Sequence, residues 1–349
     1  MSESTPKNKL VFISDLHIGK NARVPLKFID TAVASAIMVA SNCKPRILII
    51  AGDVTDKSWV DGAELKSLLD IYHMSKEHKV TTLIIEGNHG IGPGRVSLVK
   101  ALQRIVDRNV WDPTDKYFSP KKLPRLDRPI LLIPYGESFE DAVKDLQEPS
   151  VIVAHCDVAG ADRGSDTVAT GVDPALLREL VDQGHIIALG HIHKPQVLAK
   201  GKGLAFYVGA PLQFNWGATG QLNRGIYTVD LDTNELECIP LVGGKNWPIF
   251  CDVTSKEEAE DLMAKHKHLH LRTKDTDPPE VTSFIRDAQK NGRCSTATVK
   301  HSATVTTAPQ IASTIQAEDP LIVVQTKYAK ESLEKDKVEP YLDYLVKLR

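Results

Sequence analysis

Arg46-Ile47-Leu48-Ile49-Ile50-Ala51-Gly52-Asp53-Val54-Thr55-Asp56 sets a short, β-branched apolar run directly before a glycine and two carboxylates. A run of that length and composition suits a strand buried on both faces, and the polar turn after it then sits at the strand's carboxyl end. The same arrangement recurs along the chain. Asp15-Leu16-His17 follows Leu10-Val11-Phe12-Ile13-Ser14, and Gly87-Asn88-His89 follows Leu83-Ile84-Ile85-Glu86. His155 follows Val151-Ile152-Val153-Ala154, and Gly190-His191-Ile192-His193 follows Ile186-Ile187-Ala188-Leu189. In open α/β sheets the carboxyl ends of the strands converge on one edge, so five motifs far apart in sequence are expected to meet in one crevice.

Outward from these motifs, strands are predicted at 10–14, 46–51, 81–86, 129–134, 150–154 and 185–189. Amphipathic stretches at 26–40 and 63–77 have the length of crossover helices, which makes this an α/β domain. Past His193 the pattern is strands without helices, at 196–199, 204–208, 225–230 and 235–240, and predicts a second, mixed or antiparallel sheet. Leu241-Val242-Gly243-Gly244-Lys245-Asn246 reads as a linker and closes a first domain at 1–244. Residues 248–253, 256–265, 268–272, 280–290 and 295–300 then spell β-α-β-α-β, a small α+β module at 245–301. A Ser/Thr/Pro-containing linker and a tail with two predicted helices occupy 302–349. The last of these helices carries Val338, Tyr341, Leu342, Leu345 and Leu348 at helical spacing.

Composition narrows the function classes. The 349 residues are 42% hydrophobic and 25% charged, an ordinary globular mix that excludes disordered and fibrous classes. A net charge of -2 gives no global positive field, so any nucleic-acid site is a local patch. Lys20, Arg23, Arg95, Arg104, Arg108, Lys121, Lys122, Arg125 and Arg128 are candidates for it, while Trp59 and Trp216 either stack bases or pack in the core. The opening residues lack an apolar signal region, and no apolar run reaches the roughly 18 residues of a membrane span. Five scattered cysteines without a Cys-x-x-Cys pair suit reduced thiols, so a cytoplasmic protein without disulfides or membrane contact is expected. Lys265-His266-Lys267-His268-Leu269-His270 reads as an exposed strand edge rather than a metal site.

Asp15, His17, Asp53, Asn88, His155, His191 and His193 offer imidazole, carboxylate and carboxamide donors and no thiolate, a set suited to manganese, iron or zinc in a catalytic rather than structural role. Seven donors exceed the needs of one ion. One carboxylate shared by two ions about 3.5–4 Å apart fits the number and suits phosphoryl transfer. Glycines before Asp53, Asn88 and His191 suit the tight turns that such strand ends need.

Asp15-x-His17, Gly52-Asp53-x-x-Asp56, Gly87-Asn88-His89, His155 and Gly190-His191-x-His193 together resemble the calcineurin-like metallophosphoesterase superfamily. Within it the chain is most similar to the nuclease subunit of SbcCD-type double-strand-break repair complexes, including the Gly209-Ala210-Pro211 segment and the strand that follows. The resemblance implies a four-layer α/β/β/α sandwich with a small α+β capping module and a C-terminal helical tail. It implies one ion on Asp15, His17, Asp53 and His193, and a second on Asp53, Asn88, His155 and His191, most simply manganese. His89 would act on the leaving oxygen, with Asp56 either orienting it or serving as a turn residue. The implied protein is a DNA exonuclease or endonuclease serving DNA repair, recombination and replication. It would act as a homodimer whose tail docks on an SbcC-type coiled-coil ATPase. A small-molecule phosphodiesterase or phosphatase, and a catalytically weakened DNA-tethering scaffold, are the alternatives.

The family usually has an acid after Gly-Asn-His, where this chain has Gly90. Restoring it by Gly90→Asp is expected to leave activity equal or raise it. Chelation should abolish phosphodiester hydrolysis, with manganese restoring it better than magnesium. Full activity of Asp53→Ala in the same assay would defeat the assignment.

Overall fold

Four consecutive apolar residues with no polar face can only be buried on both sides, and Ile47–Ile50 becomes a strand inside a sheet that is covered above and below. The structure, a computed structural model, describes residues 7–19, 24–90, 111–113, 117–118, 126, 128–164, 169–219, 224–241 and 247–300. Its strands in chain order begin with β1 (Lys7–Ile13), β2 (Cys43–Lys44), β3 (Ile47–Ile50), β4 (Thr81–Ile84), β5 (Trp111–Pro113) and β6 (Tyr117–Phe118). They continue with β7 (Ile130–Ile133), β8 (Val151–His155), β9 (Ile186–Gly190), β10 (Gln196–Lys200) and β11 (Leu204–Tyr207). The last are β12 (Gly225–Asp230), β13 (Leu236–Pro240), β14 (Pro248–Asp252), β15 (His268–Lys274) and β16 (Thr296–Lys300). The helices described are α1 (Leu26–Ser41), α2 (Gly62–Glu77), α3 (Phe139–Val143), α4 (Pro174–Asp182), α5 (Lys256–Lys265) and α6 (Pro279–Lys290).

Among these residues one sheet runs β13-β12-β1-β3-β4-β5, with β2 beside β1, and a second runs β10-β11-β9-β8-β7-β6. The four strands β10 to β13 therefore do not build a sheet of their own. β11 extends the second sheet parallel to β9, with Ala205 opposite Ile187, and β12 returns antiparallel to β1, with Thr228 opposite Val11. Each closes an edge that would otherwise expose unpaired backbone groups. Strand periodicity announces such segments but carries nothing about which edge they choose.

The period of two along each strand sorts the core. Leu10, Phe12, Ile47 and Ile49 point from the first sheet into a cluster shared with Ile130, Leu132, Val151, Val153, Ile186 and Phe206 of the second. Phe12 meets Phe206 edge to face across this interface, with centroids 5.7 Å apart. The alternate residues Val11, Ile13, Leu48 and Ile50 pack on α1 and α2. Ile152, Ile187 and Leu189 pack on α3 and α4. The layers are thus helix, sheet, sheet, helix. Asp61 and Glu64 form a capping box that fixes where α2 begins.

The small module is a three-stranded parallel sheet, β14-β15-β16, whose crossover helices bury Ala259, Val281 and Ile285 against Leu269 and Leu271. Phe250 of this module joins the cluster under α1, and its amide donates to Gln213 Oε1 at 2.7 Å. Met1–Ser302 is one compact unit. The second unit, Ala303–Arg349, lies outside the described residues, and the tail helices predicted there lie outside them too. The histidine run is not a strand edge, because β15 is the central strand of its sheet. His268 meets the ring of Phe28 at 5.0 Å and His270 stacks on Phe250 at 4.3 Å, so their alternation faces the seam with the first domain. No described helix is long and apolar enough to cross a membrane.

Phe206→Ala removes half of the aromatic contact between the two sheets and should cost about 3–5 kcal/mol in urea unfolding. Val197→Thr on the exposed face of β10 should stay within about 0.5 kcal/mol of the wild type in the same measurement.

Candidate metal centre

The loops after β1 and β3 continue side by side beyond the sheet. Asp15 N–H donates to Gly52 O at 3.1 Å, His17 N–H to Asp53 O at 2.9 Å and Ile18 N–H to Val54 O at 2.9 Å. Asp15, His17 and Asp53 have φ of 53°, 47° and 48°, and His191 has φ of 92°. Left-handed backbone is uncommon outside glycine and gathers where side chains must be aimed. From the second sheet, His155 ends β8 directly opposite Gly190, and His191 and His193 follow β9. A Cβ at Gly190 would lie 1.8 Å from Ala51 O, so glycine is what lets the ends of the two sheets meet here.

The seven sequence-derived donors come together in this meeting place. Asp15, His17 and Asp53 are buried, and so is His155. His17 Nε2 lies 2.9 Å from His193 Nε2 and 3.6 Å from Asp53 Oδ2. His155 Nε2 lies 3.0 Å from Asn88 Oδ1 and 3.5 Å from the same Asp53 oxygen, while His191 Nδ1 lies 2.8 Å from Asn88 Oδ1. Ligand atoms of Asp15, His17 and His193 lie within 4.8 Å of one another, as do those of Asp15, Asp53 and His155, and of His17, Asp53 and His89.

Hydrogen bonds on the far side of two rings test whether cations fit. His155 Nδ1 is 2.8 Å from Ala51 O, an acceptor, so Nδ1 carries a proton, and in the neutral form that binds a metal the lone pair of Nε2 faces Asn88 and Asp53. His17 Nδ1 is 3.0 Å from Asp56 Oδ1, which by the same logic turns its Nε2 lone pair toward His193 and Asp53. Lone pairs converging on lone pairs call for positive charge between them, and the donor set suits divalent ions. Asp53 lies between both groups and is placed to be shared.

Without an ion, the compensating positive charge falls on the imidazoles themselves. Burial would raise the Asp53 carboxyl, but the His155 hydrogen bond, the His155 and His17 charges and the His89 amide outweigh it and hold the carboxyl well below the usual range. Burial would lower the His155 imidazole, but Asp53 and Asp15 pull it up on balance. His191 goes down, through its burial and then the charge of His155.

His89 is more exposed than the buried ligands. Its amide donates to Asp53 Oδ1 at 2.9 Å and its Nδ1 lies 3.3 Å from Asp56 Oδ1. Asp56 therefore serves two rings, His17 and His89, and is more than a turn residue. Two contributors escaped the sequence reading. Asp157 faces His191 Nε2 at 3.2 Å and is paired with Arg163. Tyr135 is exposed, with its ring 6.0 Å from that of His191 and 6.2 Å from that of His155. The signal available for Asp157 was its place two residues after a ligand; Tyr135 follows an apolar strand, as the ligands do.

The candidate nucleic-acid residues separate. Trp59 is 63% exposed with Lys57 Nζ 4.6 Å from its ring centre, whereas Trp216 packs edge-on against Phe250 under the Arg272 guanidinium. Arg128 is committed to the carbonyls of Gly184 and Leu231. The other basic candidates, Lys20, Arg23, Arg95, Arg104, Arg108, Lys121, Lys122 and Arg125, lie outside the described residues.

The family model described as calcineurin-like phosphoesterase matches residues 9–195. No curated protein matches the chain in sequence. Similar solved structures include a dimetal phosphatase from Danio rerio, 12% identical with a TM-score of 0.40, over 65% of this chain and 93% of that one.

The structure reverses the expectation for position 90. Gly90 has φ of 76°, and a Cβ there would lie 2.3 Å from Thr55 Oγ1 and 3.1 Å from Thr55 O. Gly90→Asp should therefore lower the thermal midpoint and displace His89, reducing kcat, with a calorimetric scan and a phosphodiester assay as the two measurements.

Proposed function

Because the chain belongs to the calcineurin-like phosphoesterase family, a family of metal-dependent phosphoester hydrolases, we propose that it is a two-metal DNA nuclease, with manganese as its working ion. One ion would be held by Asp15, His17, Asp53 and His193 and the other by Asp53, Asn88, His155 and His191. When bound, such ions supply Lewis-acid stabilisation of the phosphoryl oxygens during in-line attack. The chain's own residues do the rest. Asp56 orients the His89 ring through Nδ1, by its main-chain carbonyl and its carboxylate, so that Nε2 is the atom offered to the leaving oxygen. Asp157 and Asp56 hold the rings of His191 and His17 in place.

The observation that carries the nuclease reading is a pair of exposed aromatic rings, Tyr135 next to His191 and Trp59 under Lys57, a cation that shares a cavity with His17. Lys57 also lines a cavity of about 380 Å³ that opens beside His17 and Phe214. Exposed rings and a cation flanking a phosphodiester site are what unpaired nucleotides use for stacking. One feature favours a small-molecule phosphodiesterase instead: Asp61 and Glu64 also line that cavity and would repel a second phosphate there. In the nuclease reading the tail at 302–349, with its apolar set from Val338 to Leu348, docks on an SbcC-type coiled-coil ATPase, and the nuclease works in the cytoplasm as a homodimer in DNA repair.

Labelled duplexes with single-stranded ends, compared with a synthetic aryl phosphodiester, test the reading. DNA should be the better substrate, and Trp59→Ala or Tyr135→Ala should lower kcat/KM on DNA about tenfold, the equivalent of one lost stacked base. Faster turnover of the synthetic diester, with both variants affecting the two substrates alike, would favour the small-molecule alternative.

A further inference from the structure

A buried cation stands just behind the ligand cluster. Arg224 immediately precedes β12, is 8% exposed, and places Nη1 at 2.7 Å from His193 O, 2.7 Å from Ala210 O and 3.3 Å from Leu212 O. Burial pushes its guanidinium down to about 10, so it stays charged at neutral pH. Taking a guanidinium out of water is costly, and donation from Nη1 to these carbonyls offsets part of the cost.

Its acceptors are informative. One is the main-chain carbonyl of a metal-ligand candidate, and the other two belong to the segment that lies against that candidate. Ala210 N–H donates to His193 O at 3.1 Å, and the Phe214 ring lies 6.2 Å from that of His193 and 5.7 Å from that of His17. Ala210, Leu212 and Phe214 of this segment are buried in the core, and a cavity of about 210 Å³ runs along it at the seam with the small module, lined by Leu212, Gln213, Arg224, Trp247 and Ile249. His193 itself sits beyond the end of β9, with no strand partner past Gly190 in β8.

We propose that Arg224 is a positioning residue for the ion site formed by Asp15, His17 and His193. By clamping the His193 carbonyl to the 210–212 segment it fixes the backbone from which the imidazole reaches His17 Nε2 and Asp15. Loss of the clamp frees His193 while leaving Asn88, His155 and His191 in place, so one ion is weakened and the other is not.

The inference rests on the two-ion reading, and calorimetric titration of Mn²⁺ into the metal-stripped full-length protein separates the two. Wild type should take up two ions. Arg224→Met should bind one of them about 10- to 100-fold more weakly, the range expected when the support of a metal ligand is removed, with the other affinity nearly unchanged. Arg224→Lys, which keeps the charge and reaches fewer carbonyls, should recover part of the loss. Ile226→Ala, a buried core change in β12, provides a variant of lowered thermal midpoint that should keep both affinities. Wild-type affinity for both ions in Arg224→Met would overturn the proposal. So would an equal loss of both ions in Arg224→Met and in Ile226→Ala at matched thermal midpoint. Failure of the wild type to bind any divalent ion would instead overturn the two-ion reading. Should the methionine variant not fold, Arg224→Lys and Arg224→Gln carry the same comparison.

Discussion

The arrangement depends on one buried charge. Asp53 is 2% exposed at the place where two sheets end, and an uncompensated carboxylate there would be intolerable. Compensation comes from both sides of the interface, since His17 and the His89 amide reach it from the first sheet and His155 from the second. Asp15, also buried, accepts from the amide of His191 at 3.2 Å and faces His193. The two sheets are consequently held together at their carboxyl ends by opposite charge and elsewhere by apolar contact. Once those rings give up their protons, the same donors offer divalent ions a place to sit.

Geometric demands of that charge spread into the surrounding backbone. Asp53 and three non-glycine residues near it, Asp15, His17 and His191, adopt left-handed conformations, which a free loop would relax. They persist because the layers beneath them are rigid. Val11, Ile13, Leu48 and Ile50 are locked under α1 and α2, while Phe12 and Ile49 are locked against the second sheet. Ala51 shows how closely the layers are joined, for its carbonyl receives Ser14 Oγ at 2.9 Å and His155 Nδ1 at 2.8 Å from opposite sheets. A site built on such strand ends inherits the precision of the core, which is what hydrolysis by positioned donors requires.

The small module is attached through chemistry absent from its own core. Phe250, His270, Trp216 and Arg272 form a stack of rings and a guanidinium across the seam, and Arg272 is tied to Asp252 by two hydrogen bonds of 2.5 and 2.9 Å. The alternating histidines at 266, 268 and 270 make sense in this setting. A period of two marks one face of a strand, and sequence cannot tell whether that face meets water or another domain.

The sequence alone was enough for the strand runs, the five motifs at their ends and the β-α-β-α-β order of the module, because these rest on local periodicity and on residue chemistry that each segment carries with it. Tertiary structure decided whatever depends on partners distant in the chain. β10 and β11 went to one sheet and β12 and β13 to the other, Trp59 and Trp216 took opposite fates, and Gly90 became costly to replace because Thr55 lies against it. Asp157, Tyr135 and Arg224 gained their roles in the same way, through rings and carbonyls brought to them by other strands. Hydrophobic pattern encodes which face of an element is buried; it holds no address for the surface that will cover it, and that address is supplied only when the sheets pack.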